Sequence, residues 1–352
     1  MTIDQQKLND LVGRHIGDIA AGYSGVMVSI GNDLGLYKAM AGAGPLNSHE
    51  VAKRSGCAER YVREWLNSQA AAEYIDYHPA SKTYELTPEQ AAILADETSP
   101  VFLPNAWNVV ASLWEDEAKA RTAFKTGRGV AWGEHSERLF CGIAAFYRNG
   151  YAASLVQVWL PALTGVTKKL EAGATVADIG CGHGHSTVLM AKAYPKSRFW
   201  GFDVHEGSIE IARKVARQAG VEDRVSFEVA KADGYDKRGY DLACFFDCLH
   251  DMGRPVEAAR YAADAMAKDG TIMLVEPYAG DRVEDNINVV GRLYYSASTT
   301  LCCAHAISEE GTHVLGAQAG YGQLESMLKL AGLETVRKAA QTPFNLILEA
   351  HC

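Results

Sequence analysis

The stretch Asp178-Ile-Gly180-Cys-Gly182-His-Gly184 places one carboxylate and three glycines in seven residues, and His185, Ser186 and Thr187 follow directly. A dinucleotide-binding loop has the spacing G-x-G-x-x-G. Gly180 and Gly182 match it, but His185 stands where the third glycine would fall, and the extra glycine comes one residue early at 184. The pattern is D-x-G-x-G-x-G. Glycines without Cβ let a backbone approach a ligand closely. Asp178, at the end of an apolar run, is placed to accept from the ammonium group of a bound amino acid, and Ser186 and Thr187 are placed to donate to its carboxylate.

Asp203 comes nineteen positions after Gly184, at the end of a second apolar run. A carboxylate there takes both hydroxyls of a ribose as a bidentate acceptor. Val204 and His205 follow, placed to cover an adenine face, and Ala232-Asp233-Gly234 after the third run is placed to contact the adenine amino group. Asp247 and Cys248, at the end of the fourth, complete the cofactor-binding set. An amino acid, a ribose and an adenine in that order describe S-adenosylmethionine. The expected chemistry is methyl transfer to a small molecule through an O, S or N nucleophile.

Such a transfer needs positioning, a dry pocket and, for an alcohol, a base. A phenol near pKa ~10 needs modest help and a thiol near ~8.5 least, so a small phenol or a thiol or sulfide suits the reaction best. His250, just past Asp247 and Cys248, is the first candidate base, and His135 in Trp132-Gly-Glu-His135 is the second. Either serves equally as a hydrogen-bonded structural histidine. Trp132, Phe146, Tyr147 and Tyr151 are expected to shape the acceptor pocket and face a sulfonium, although helix-borne aromatics commonly pack as core. Tyr294 and Ser298 lie in an insertion after the fifth strand that would close the pocket. Cys302-Cys303-Ala-His305 and Cys181-Gly-His183-Gly-His185 lack paired C-x-x-C or the usual zinc spacing, so no metal is expected.

The elements that position these residues read as an α/β domain. Candidate parallel strands are Thr175–Ile179, Arg198–Asp203, Val225–Val229, Tyr240–Phe246 and residues 271–275, with amphipathic segments 186–194, 208–219 and 256–267 between them. Residues 333–336 and 344–349 suggest two more strands joined without a helix, one of them an antiparallel edge strand. Residues 98–172 read as a helical linker and lid, and 173–352 as the cofactor-binding domain. At 352 residues, more than one core is expected.

Residues 1–97 open with an amphipathic helix through Leu8, Leu11, Ile16 and Ile19. Asn47-Ser-His-Glu50 fits a capping box for a short helix ending at Gly56. A second helix begins near Ala58, with Tyr61, Val62, Trp65 and Leu66 turned inward. Two short β pieces flank Pro79 to Lys82, and the whole reads as a winged-helix domain. Its second helix balances Arg60 and Arg63 against Glu59 and Glu64, which suits dimerisation and substrate closure better than DNA. A formal charge of −9 also argues against nucleic acid. Eight cysteines without framework spacing read as reduced thiols, and neither a signal peptide nor a membrane span is legible, so a cytoplasmic location is expected.

Asp178–Gly184, Gly201-Phe-Asp203, Phe246-Asp-Cys-Leu-His-Asp-Met252 and Val275-Glu-Pro277 resemble bacterial class I S-adenosylmethionine-dependent methyltransferases with an N-terminal winged-helix domain. The likeness extends to Trp132-Gly-Glu-His135, Ser308-Glu-Glu-Gly311 and Thr342-Pro-Phe-Asn345. It implies a seven-stranded, doubly wound class I methyltransferase sheet, S-adenosylmethionine as cofactor, and a homodimer made by the N-terminal region. More distantly the chain is similar to natural-product O-methyltransferases, in which a His-Asp pair after the fourth strand supplies the base; here that pair is His250 and Asp251. The competing reading is a regulator that binds S-adenosylmethionine or DNA without transferring a methyl group.

Overall fold

The computed structural model describes residues 2–352. They form two compact units, the first reaching to Ala111 and including Cys141–Asn149, the second comprising Ser112–Phe140 and Gly150–Cys352. Residues 98–172 are thus shared between the two.

The first unit begins with α1 (Gln5–Asp33), whose N-terminus is closed by the Asp4 side chain accepting from the Gln6 and Lys7 amides. Only its last third is packed. Residues 2–23 are all exposed, whereas Gly25, Val28 and Gly31 are buried. A Cβ at Gly31 would stand 2.6 Å from the Trp65 ring, so a glycine is what lets α1 press on it. The apolar residues that make α1 amphipathic are therefore exposed within one chain: Leu11 is 61% and Ile16 60% accessible.

Helices α2 (Leu36–Met40), α3 (Ser48–Ser55) and α4 (Glu59–Ala71) follow. Asn47 and Glu50 form the expected capping box, and α3 stops at Gly56 with φ 71°. Strands β1 (Asp76–His78) and β2 (Thr83–Glu85) pair antiparallel as the wing, and α5 (Pro88–Leu94) closes the region. Val28, Tyr37, Val62, Trp65, Leu66 and Ile75 are among the residues of its core. Tyr61 does not join them. It is 81% exposed: one residue before Val62, it stands about 100° around α4 from that residue, at the margin of the buried face.

Helices α6 (Ala106–Glu115) and α8 (Glu137–Ser154) contribute to both units, and α7 (Glu117–Thr126) belongs to the second. After α9 (Leu160–Ala162) and α10 (Val166–Ala172) comes a seven-stranded sheet, β3 (Thr175–Ile179), β4 (Arg198–Asp203), β5 (Val225–Val229), β6 (Tyr240–Phe246), β7 (Met266–Pro277), β8 (Thr335–Gln341) and β9 (Asn345–His351). Their order is β5-β4-β3-β6-β7-β9-β8. The first five are parallel, with α11 (His185–Ala193), α12 (Glu206–Ala219) and α13 (Pro255–Asp264) between them. β9 is antiparallel to both β7 and β8, so the reversed strand lies one place in from the edge, not at the edge as expected. β7 runs well beyond residues 271–275. Helices α14 (Val289–Thr300), α15 (Cys302–Ser308) and α16 (Gly320–Leu330) fill the connection to β8.

Central strands are apolar on both faces, with Val176, Ala177, Leu242, Phe245, Ile272 and Leu274 all buried, as helices on both sides require. The chain steps outward from β3 to β5, then returns to β6 on the other side of β3. That reversal is a topological switch point, where ligands bind at the carboxyl ends of the strands. Among the described residues no helix is long and apolar enough to cross a membrane.

Candidate active site

The glycine turn lies between β3 and α11, on the edge the switch point selects. Gly180, Gly182 and Gly184 all have positive φ (73°, 50° and 73°), which explains three glycines in five residues. Two also admit a close neighbour. A Cβ on Gly180 would stand 2.7 Å from the Cys248 Sγ, and one on Gly184 2.4 Å from the Phe227 ring. Gly182 has nothing within 4 Å of its Cβ position, leaving open space for a ligand.

Asp178 is completely buried. Its Oδ2 accepts from the Ser186 hydroxyl at 2.7 Å and the Thr187 hydroxyl at 2.6 Å, while Oδ1 has no partner. Burial pushes the carboxyl up to about 6 against the pull of both donors. Ser186 and Thr187 therefore orient Asp178 and do not present their hydroxyl protons to a ligand carboxylate. The orphaned Oδ1 is a buried acceptor that a cationic donor would satisfy.

Asp203 uses Oδ2 to accept from the Gly182 amide and Oδ1 to accept from the His205 amide, each at 2.9 Å. It thus shapes the glycine turn, and two of its roughly four lone-pair sites stay open. Burial raises its pKa. Val204 is half exposed. His205 caps α12 by accepting from the Ser208 amide, and Phe140 stacks on its ring at 4.6 Å, so Phe140 holds a ring face expected to meet adenine. Ala232, Asp233 and Gly234 form a turn after β5, with the Asp233 side chain exposed.

At the carboxyl end of β6, Asp247 sits in the left-handed region with φ 50°. Its Oδ2 accepts from the Tyr151 hydroxyl at 2.8 Å and Oδ1 from the Asn345 amide at 2.7 Å. Burial, then repulsion from Glu276, pushes its carboxyl up to about 8. Cys248 donates to the Ile179 carbonyl at 3.1 Å, tying β6 to β3.

His250 is buried with both ring nitrogens committed. Nδ1 bonds Glu276 Oε2 and Nε2 lies 3.0 Å from Asp251 Oδ1. Burial pulls its pKa down, but Asp251 and Glu276 outweigh burial and hold it well above the ordinary histidine value. An imidazole facing two carboxylates offers no free lone pair, which departs from the expectation of an open general base. Glu276 also accepts from the Leu249 amide.

His135 is buried, with Nδ1 3.1 Å from Asp116 Oδ2 and Nε2 unpartnered. Burial lowers its pKa more than Asp116 raises it. It borders a small pocket between α7 and α14, lined also by Lys119, Val130 and Thr300. Trp132 is set among the rings of His135, Phe140 and His305.

Among the expected acceptor residues, Tyr151 and Tyr294 lie in the second unit, where Tyr294 donates to the Phe344 carbonyl beside Asn345. Ser298 accepts from the Ala317 amide and pins that loop. Phe146 and Tyr147 belong to the first unit and meet edge to face at 5.1 Å. Glu276, Asn345 and Phe140 went unassigned in the sequence. Val275-Glu-Pro277 and Thr342-Pro-Phe-Asn345 were the signals that held the first two.

Residues 22–96 match the model of the Rv2258c-like winged HTH domain, and residues 170–332 match that of a methyltransferase domain. The chain is 34% identical over 107 residues to the 27-O-demethylrifamycin SV methyltransferase of Amycolatopsis mediterranei (strain S699), covering 30% of this chain and 39% of that protein. It spans less than half the length of the curated relatives it matches. The mitomycin 7-O-methyltransferase MmcR superposes with a TM-score of 0.70 at 18% identity, covering 99% of this chain and all of that one. PigF, solved with SAH, superposes at 0.71 and 16% identity, covering all of both chains. The chain thus carries a winged helix-turn-helix domain followed by a methyltransferase domain of the class I fold.

Proposed function

We propose that this protein is an S-adenosylmethionine-dependent methyltransferase that acts on a hydroxyl of a small molecule. The observation that carries the reading is the buried, donorless Asp178 Oδ1 beside the open Gly182 position, a cradle that fits a cationic amino-acid head. When bound, S-adenosylmethionine supplies an electrophilic methyl group on a sulfonium. Asp178 holds the ammonium, and Gly180, Gly182 and Gly184 admit the backbone approach. Asp203 takes the ribose hydroxyls on its remaining lone pairs, and Val204 with Ala232, Asp233 and Gly234 borders the adenine. The O-methyltransferase names of the rifamycin and mitomycin enzymes support oxygen as the nucleophile.

Asp247 is the group whose pKa suits it to take the hydroxyl proton, since a base works best when poised near the operating pH. Tyr151 and Asn345 hold it, and a carboxylate with two donors still has lone pairs to offer. His250 supports the turn after β6 and His135 orders the helical layer through Asp116. Neither takes the proton in this reading.

A second copy of the chain is the expected partner. Val12, Ile16, Ile19, Tyr23, Val26 and Ile30 recur at 4-3-4-3-4 spacing along α1 and are all at least 40% exposed. That is the spacing of a helix-pairing seam. Arg60 and Arg63 are paired within α4 to Glu64 and Glu59, which supports the absence of a nucleic-acid partner. The test is to incubate the protein with labelled S-adenosylmethionine and a panel of phenols, alcohols, thiols and amines. Methylated phenol or alcohol is the expected product. Tight cofactor binding with no turnover on any class would favour the regulator reading instead.

A further inference from the structure

We infer that His250, Asp251 and Cys302 form a binding site for a divalent transition-metal ion, with zinc the best match. Cys302 is far from His250 and Asp251 in sequence but adjacent to them in space, because α15 packs on the turn after β6. One nitrogen, one carboxylate oxygen and one sulfur converge, all within 4.8 Å of one another. Ligands around a four-coordinate zinc, at about 2.0 to 2.3 Å from the metal, have separations of that size.

Two further observations point to a cation. Asp251 Oδ1 is buried with His250 Nε2 only 3.0 Å away, and against burial both His250 and Cys302 hold its carboxyl below the ordinary value. In the metal-free protein a ring proton on Nε2 holds the two atoms together, and a divalent ion would displace that proton and take its place. On the far side of the ring, Glu276 Oε2 bonds His250 Nδ1. A carboxylate on the second nitrogen fixes the tautomer of a metal-bound histidine and turns the Nε2 lone pair toward the metal. Glu276 is 1% exposed and has no other task at that oxygen.

Charge and chemistry agree. A thiolate and a carboxylate neutralise a dication, and the Cys302 proton leaves to solvent when the metal binds. A mixed N, O and S set favours zinc over magnesium or calcium, which take oxygen. Three protein ligands leave one position for water. The site shares no ligand with the donor cradle at Asp178, so its test stands whether or not methyl transfer is observed.

The protein is stripped with chelator, incubated with zinc chloride, desalted, and its metal measured by mass spectrometry. About one zinc per chain is expected, together with a rise in melting temperature. Cys302→Ala and Asp251→Asn should lose the zinc, while Cys303→Ala, whose sulfur faces Ser298 instead, should keep it. With cobalt(II), the wild type should show a thiolate charge-transfer band in the near ultraviolet that Cys302→Ala lacks. Circular dichroism identifies any variant that fails to fold, and the cobalt spectrum then decides on the wild type alone. Wild-type protein that takes up no zinc and shows no cobalt–thiolate band overturns the site, as does Cys302→Ala that folds and retains its zinc. A proton shared by His250 would then replace the metal.

Discussion

Tyr151, in the last turn of α8, donates its hydroxyl to Asp247 Oδ2 at 2.8 Å and so ties a helix to the carboxyl end of β6. The bond favours the ionised carboxylate, opposing the burial that pushes Asp247 up to about 8. If Asp247 takes the acceptor proton, activity rises as pH passes through about 8. Tyr151→Phe removes the opposing bond and moves that limb to higher pH, with roughly a tenfold loss at neutral pH from a charged hydrogen bond worth about 1.5–3 kcal/mol. Asp247→Asn removes the limb. A pH profile of kcat/KM that is the same in all three proteins excludes this role.

Asp178 poses a different balance. Its folded pKa of about 6 lies above the ordinary carboxylate value, so its protonated form stabilises the fold at low pH and that contribution is lost as pH rises through about 6. Asp178→Asn keeps an acceptor for Ser186 and Thr187 but puts a donor where Oδ1 stood. The variant should melt higher than wild type at pH 8 and bind S-adenosylmethionine at least about tenfold more weakly, since it meets the ammonium with an N–H. Calorimetry and thermal melts check both arms. Unchanged cofactor affinity would remove Asp178 from the site.

The glycine turn allows a comparison between two alanines. Gly180→Ala meets Cys248 at 2.7 Å and should lower both stability and cofactor affinity. Gly182→Ala meets no protein atom, so it costs only the left-handed backbone strain of about 1–2 kcal/mol. Its effect should fall mainly on the cofactor, seen as lost affinity with a small change in melting temperature. Unchanged cofactor affinity in Gly182→Ala would show that no ligand uses the open space.

How far the sequence could be read depends on the range of the interaction. Four strands, Thr175–Ile179, Arg198–Asp203, Val225–Val229 and Tyr240–Phe246, were delimited to the residue, because each is an apolar run bounded by turn residues. The capping box at Asn47 and the stop at Gly56 were equally local. The Asn345 bond to Asp247 spans 98 positions and depends on β9 reversing beside β7, which no local pattern encodes. Ser186 and Thr187 had the right address but the wrong partner. Choosing between a ligand carboxylate and Asp178 requires side-chain geometry, and so does seeing that His250 is enclosed by Glu276 and Asp251.

His250 also makes a stability prediction, best measured in chelator so that no metal contributes. Its folded pKa is raised, so its ion pairing stabilises the fold fully below the unfolded value near ~6.5 and is lost as pH rises through the folded value. Removing one partner of a buried pair costs about 3–5 kcal/mol, so Glu276→Ala should melt far below wild type at pH 6. The gap should narrow at alkaline pH, where the wild type has lost the same interaction. A gap that is constant from pH 6 to the alkaline end would mean that Glu276 acts through packing rather than charge.

The seam on α1 predicts the assembly. Residues 2–23 are exposed in one chain, and an unpaired helix of this length with an apolar stripe is marginal in water. Pairing with the same stripe of a second copy buries Ile16 and Ile19 against their counterparts, which orders the helix and removes the patch together. Light scattering should give twice the 38.1 kDa chain mass. Ile16→Asp combined with Ile19→Asp places charges on the seam and should yield monomers with reduced helical content, while the sheet domain keeps its cofactor affinity. A wild-type monomer at micromolar concentration, or a double variant that still dimerises, would move the interface off α1.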